Sequence, residues 1–265
     1  SFRKIFKLDF ISLKVRNLIP MVRIIFNHLK SQWYKYIIEI VVVILGILIA
    51  YNLEEWSETR KNKTREIEIL KEFKAALAAD LVEMQDNIRE HENSILSSRI
   101  VLQVIKDKLS YHDSLDACFA YTHAFTTFSG RVGPIEQLKN TNLEIVSNDS
   151  LRLNIISMYD EAFPRLRAVE LVIIRDYEQL RDFDRLYFEA YDVEGVSTSK
   201  SVPAPFWGIM RPIHFTELIA NPQYAALLRA RISNQIGLLR GTYKPIANSL
   251  NNLLHQIDRE IRELE

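Results

Sequence analysis

The chain has little of the material from which turns, covalent bridges and metal cages are made. Its single cysteine, Cys118, excludes an internal disulfide framework and any zinc site built from cysteine pairs. Seven glycines and eight prolines stand against 13 phenylalanines and 11 tyrosines, so glycine-dependent hairpins are scarce and the composition favours helix. Net charge is also missing, with 34 Lys+Arg balancing 34 Asp+Glu. At 48% hydrophobic and 26% charged residues the mixture is that of an ordered chain and excludes wholesale disorder. Neither a Gly-rich phosphate loop, a nucleophile elbow nor a Cys–His family signature is present. There is also no internal repeat and no low-complexity tract. The zero total conceals a dipolar layout: residues 1–36 carry eight Lys/Arg and one acid, giving +7, and the remainder carries 26 and 33, giving −7.

What the chain does have is one long apolar run. From Tyr36 to Leu53 the only charged residue is Glu39. A membrane-spanning helix needs roughly 20 mostly apolar residues, because about 1.5 Å per residue must cover a hydrocarbon core of roughly 30 Å. Trp33, Tyr34 and Tyr36 flank one end and Tyr51 and Trp56 the other, where amphipathic rings favour the interface. Eight Lys/Arg precede the run, from Arg3 to Lys35, and Glu54, Glu55 and Glu58 follow it. The positive-inside rule therefore predicts a single-pass protein of the inner (cytoplasmic) membrane, with a cytoplasmic N-terminus and a periplasmic C-terminal domain. The run is longer than the apolar core of a signal peptide and no small-x-small site follows it, so it reads as an uncleaved signal anchor. Residues 1–35 form a basic amphipathic arm suited to an anionic leaflet, and nucleic acid is not an expected partner. Pro20 is expected to separate two amphipathic segments within that arm. Glu39, the one intramembrane polar group, either reaches headgroup water and Lys35 or serves as a proton or inter-helix hydrogen-bonding site.

Two groups of residues resemble a known pattern. The first is Glu39-Ile40, Gly46-Ile47-Leu48-Ile49-Ala50, Trp56, Glu58 and Arg60-Lys61. The second is Gln137-Leu138-Lys139, Asn142-Leu143, Val146 to Arg152, and Tyr159. Together they resemble an uncharacterised family of single-pass bacterial envelope membrane proteins, a domain-of-unknown-function group. The resemblance implies a membrane anchor with a helical periplasmic region and assigns no enzyme activity.

Beyond the span, Thr64 to Leu109 contains no Gly or Pro. Steps of seven from Ile67 and from Leu70 place apolar residues at ten of thirteen a/d positions. This pattern predicts a coiled-coil stalk, residues 57–110, with an oligomer seam of Ile67, Leu70, Leu77, Leu81, Met84 and Ile88. A helix of an antiparallel bundle would use the same stripe. His91 falls at a polar d position and is expected to set register. Tyr111 to Gly133 reads as irregular, followed by a short helix over 134–140. Ser147, Asn148 and Asp149 cap a helix over 151–162. Phe163-Pro164 is expected to break or kink the chain before an amphipathic helix over 165–190, whose Glu178–Arg181 and Asp182–Arg185 spacings suggest i,i+3 pairs. Residues 192–212 read as a loop, Asn221-Pro222 opens the final helices, and Lys244-Pro245 divides them.

The expected fold is thus all-α: a cytoplasmic arm (1–35), one transmembrane helix (36–56), a coiled-coil stalk (57–110) and a periplasmic helical bundle (111–265). His112-Asp113, Cys118 and His123 lack the context of a catalytic group, and no catalytic, metal or cofactor site is expected. Phe206 and Trp207, set among prolines, either plug the end of the bundle or form the candidate contact with a partner. The preferred function is a non-enzymatic, self-associating scaffold anchored in the lipid bilayer. The alternative is an accessory subunit bound to other membrane-protein subunits.

Overall fold

The computed structural model describes residues 5–191 and 208–265, with side chains for 33–35, 37–189 and 208–265. Among the described residues the fold is all-α apart from one short two-stranded ribbon. The chain divides into two compact units, Ser1–Asn62 and Lys63–Glu265. Helix α1 (Ile5–Asp107) begins in the first unit and runs on through Pro20, without the expected separation. One lost hydrogen bond is outweighed by uninterrupted helical bonding on both sides. The helix stops two residues short of Leu109. Lys108 adopts φ 49° and the Leu109 amide donates to the Val104 carbonyl at 3.1 Å, the six-to-one bond of a Schellman motif.

The second unit adds α2 (Asp116–His123), α3 (Gly133–Thr141), α4 (Asp149–Ser157), α5 (Phe163–Tyr187), α6 (Phe215–Ala220), α7 (Pro222–Leu238) and α8 (Lys244–Leu264). Strands β1 (Phe188–Tyr191) and β2 (Ile209–Pro212) pair antiparallel, Phe188 opposite Pro212 and Tyr191 opposite Ile209. The sequence reading missed this ribbon and ended its helix three residues late, at 190. It also missed α2, every residue of which is buried. A helix enclosed on all sides has no polar face and so no amphipathic period to read. The expected caps are present: Asn148 Oδ1 accepts from the Leu151 amide at 3.1 Å, and Asn221 Oδ1 from the Gln223 amide at 2.9 Å.

Two prolines expected to interrupt helices do not. Met158–Ala162 and Leu239–Tyr243 form single π-helical turns that join α4 to α5 and α7 to α8, and Pro164 and Pro245 follow directly in the first turn of α5 and of α8. A wider turn before a proline relieves the clash of its ring with the preceding carbonyls, so the helical backbone continues through it.

The stripe expected to be an oligomer seam is filled from within the chain. Leu70, Leu77 and Met84 have no exposed surface, and Ile67, Leu81 and Ile88 pack against the same core. Their partners include Leu250, Leu253 and Ile257 of α8 and Phe163 and Leu166 of α5. Ion pairs fix α8 antiparallel to α1: Lys71 with Glu265 (2.9 Å), Lys74 with Asp258 (2.6 Å) and Glu92 with Lys244 (2.7 Å). The residues read as a stalk therefore contribute to the core of a bundle, the arrangement that shares a heptad stripe with a coiled coil. A second cluster gathers Val101 and Val104 with Phe119, Leu180, Phe183, Tyr224 and Leu228.

Candidate functional site

Within the first unit the apolar run is uncovered. Every described side chain from Ile37 to Leu53 is exposed, as are Trp33, Tyr34, Tyr51 and Trp56 at its ends. The side chain of Tyr36 lies outside the described residues. Glu39 is exposed about one turn into the run. At the far end Asn52 Nδ2 donates to the Leu48 carbonyl at 2.7 Å, returning its polar group to the helix. The Arg60 guanidinium lies 5.7 Å from the Trp56 ring centroid, within cation–π range. One helix is thus long and apolar enough to cross a membrane.

In the second unit a polar layer separates the two apolar clusters along α1 and α7. Asn87, His91, Ser94, Ser97 and Ser98 of α1 are buried, as are Arg231 and Gln235 of α7. Gln235 Nε2 donates to Ser94 Oγ at 3.0 Å, and the His91 ring packs edge-on to Tyr243 with centroids 5.3 Å apart. His91 is no register-setting residue between copies; it faces the interior of its own bundle. Burial, reinforced by the Arg231 charge, pushes its pKa down to about 4, so it is neutral at physiological pH. Arg231 has no exposed surface, and its Nη2 donates to the Ala124 carbonyl. Burial lowers its pKa to about 10, against the opposing pull of Asp176 and Asp184, and it stays charged at neutral pH.

Beside this layer lies a cavity of about 370 Å³, lined by Ala120, His123, Phe125, Tyr177, Asp184 and Met210 among others. His123 Nδ1 faces the Asp184 carboxylate, and its Nε2 lies 3.1 Å from the Tyr224 hydroxyl. The imidazole of α2 thus sits between the Asp184 carboxylate of α5 and the Tyr224 hydroxyl of α7. Cys118 sits elsewhere, against Ser97, and burial raises its thiol to about 11. It is held as a protonated thiol and does not meet His123. His112 is exposed and caps the turn at Asp113, its Nδ1 accepting from the Ser114 amide at 3.1 Å.

Three carboxylates hold the loop between α2 and α3 by its backbone. The Phe128 amide donates to Glu170 (2.8 Å), the Ser129 amide to Glu83 (2.7 Å) and the Arg131 amide to Asp80 (3.1 Å). Arg131 Nη1 adds an ion pair to the fully buried Asp80 at 2.7 Å. The Tyr243 hydroxyl donates to Glu170 and accepts from Asn87 Nδ2 at 3.4 Å. Burial raises the carboxyl pKa of both Asp80 and Glu170.

Sequence reasoning did not single out Asp80, Tyr224 or Arg231, and it read Glu170 and Asp184 as part of a solvated, ion-paired face of the 165–190 helix, where Glu170 is in fact buried. Ionisable side chains at core-facing helical positions were the available signal: Arg231 recurs with Leu228 and Gln235 on the stripe that also carries Tyr224. Phe206 and Trp207 lie outside the described residues. No curated protein and no solved structure matches the chain. A family model described as a family of unknown function, DUF6090, matches residues 39–183, which include most of the apolar run, most of α1 and the helices through Phe183 of α5. On that match the chain belongs to DUF6090.

Proposed function

We propose that the chain is a non-enzymatic, self-associating scaffold of a bacterial envelope. It is anchored once in the inner membrane, with its basic arm in the cytoplasm and its helical domain in the periplasm. One observation carries this reading: the apolar run Ile37–Leu53 is exposed on every face, yet it belongs to the same helix that lends Leu70, Leu77 and Met84 to an enclosed core. In water such a surface far exceeds the apolar patch of an ordinary soluble monomer, and a bilayer is the cover that its length fits. The +7 charge of residues 1–36 supports the orientation.

Two measurements test the reading. A cysteine placed at residue 10 is expected to resist a membrane-impermeant thiol reagent in intact cells, and one at residue 196 to react; the reverse pattern overturns the orientation. Purification in mild detergent is expected to yield a homo-oligomer. A monomer carrying stoichiometric foreign membrane proteins would replace the scaffold with the accessory-subunit reading.

A further inference from the structure

The cavity beside the polar layer joins two features that the packing of the bundle does not require. Phe125, on the loop after α2, is 39% exposed. Its ring lies against that of Tyr177 on α5, itself part-exposed, with centroids 4.7 Å apart and planes at 45°. Asp184 lines the same cavity, and its side chain keeps 21% exposure although His123 faces its carboxylate. Among the described residues that line the cavity there is no Lys or Arg. Arg231 holds the Ala124 carbonyl from behind the wall, and the two carboxylates that draw on its charge, Asp176 and Asp184, outnumber it.

A carboxylate beside apolar walls repels an anion, and a neutral apolar guest gives it nothing in return for its lost hydration. Aromatic faces carry the negative end of the ring quadrupole and attract a cation within about 6 Å of a centroid. Centroids 4.7 Å apart allow one cation to lie within that range of both rings. The Met210 thioether, also on the wall, is a soft and polarizable neighbour for methyl groups. A compact metal ion fits less well, because among the described residues no group of three or more His, Cys, Asp or Glu is arranged to hold one. We propose that this cavity is a binding site for a small free organic cation of the trimethylammonium class. Its methyl groups lie against Phe125, Tyr177 and Met210, and Asp184 balances its charge. A volume of about 370 Å³ is near the lower end of ligand pockets, which run from about 300 to 1,000 Å³, and suits a compact guest. The site lies wholly within the second unit and stands apart from the self-association and orientation readings.

The test uses the purified full chain in maltoside micelles at pH 8, melted with choline chloride against an equal concentration of sodium chloride. Choline is expected to raise the melting temperature saturably at millimolar concentration. Its neutral isostere 3,3-dimethylbutanol has the same shape without the charge and is expected to bind about tenfold more weakly. Phe125→Ala, at an exposed position outside both cores, is expected to weaken choline about tenfold, and Phe125→Trp to retain it, since indole is the best cation–π ring. Asp184→Asn is expected to weaken choline and leave the alcohol unchanged; should that variant not fold, the two Phe125 variants decide. No saturable shift in the millimolar range, an equal shift from the alcohol, or an undiminished shift in Phe125→Ala each overturns the proposal. A shift produced by phosphatidylcholine added to the micelles and not by choline also overturns it, because the guest would then be a lipid.

Discussion

His91 makes the second unit sensitive to acid, and the size of the effect follows from its burial. An ordinary imidazole titrates at 6.5, whereas this one, enclosed beside Tyr243 and the Arg231 charge, titrates at about 4. Below pH 6.5 the unfolded chain takes up a proton that the folded chain refuses. Stability is therefore full above pH 6.5 and declines as pH falls towards 4. At 1.36 kcal/mol per unit the gap amounts to about 3 kcal/mol, of which about 2.5 is lost by pH 4.5. Asp80, Glu90 and Glu170 have the opposite sign. Burial holds their carboxyls above the ordinary values, so they bind protons more readily folded than unfolded and add stability on acidification. A single pH titration mixes the two effects, and a comparison with His91→Gln separates them. The purified chain in a mild detergent is melted at pH 7 and at pH 4.5, with helical circular dichroism as the readout. Wild type is expected to lose about 5–10 °C more than His91→Gln between these conditions. Parallel losses in the two proteins would refute the placement of a neutral, enclosed imidazole at position 91.

Three further outcomes are expected. Leu77→Ala should lower stability by about 2–5 kcal/mol in a melt without changing the oligomer mass, because Leu77 faces the core of its own chain. Arg131→Ala leaves Asp80 buried without its cation, and should lower the melting temperature and open residues 124–132 to limited proteolysis. Cys118, buried and raised to about 11, should react with a thiol reagent at pH 8 only after denaturation.

The parts of this fold that were legible in the sequence are those whose signal is local. Asn148 and Asn221 announce helix starts because a cap bonds within three residues, and the apolar run shows in composition alone. The heptads from Ile67 correctly located a buried stripe, but a stripe does not name what covers it. The same Leu70, Leu77 and Met84 suit a second copy or the returning α8, and the choice is made more than 160 residues later by Leu250, Leu253 and Ile257. The ribbon of β1 and β2 depends on partners on either side of residues 192–207, and four-residue strands carry too little alternation to be read.

The prolines teach the converse. A proline is read as a stop because its neighbours are assumed to be α-helical, and at Pro164 and Pro245 that assumption fails one turn earlier. Both π turns place an aromatic in the interior: Tyr159 in the apolar cluster against Phe73 and Phe163, and Tyr243 at the polar layer against His91 and Glu170. An added residue in a turn rotates everything after it about the helix axis, so the register of α5 and of α8 on the core is set there and not by a loop. Closing the Leu239–Tyr243 turn into regular α-helix with all its residues kept would carry Ile246, Leu250, Leu253 and Ile257 about 100° away from α1. The polar layer and the packing of α8 are therefore parts of one arrangement, fixed by a feature that leaves only a proline in the sequence as its trace.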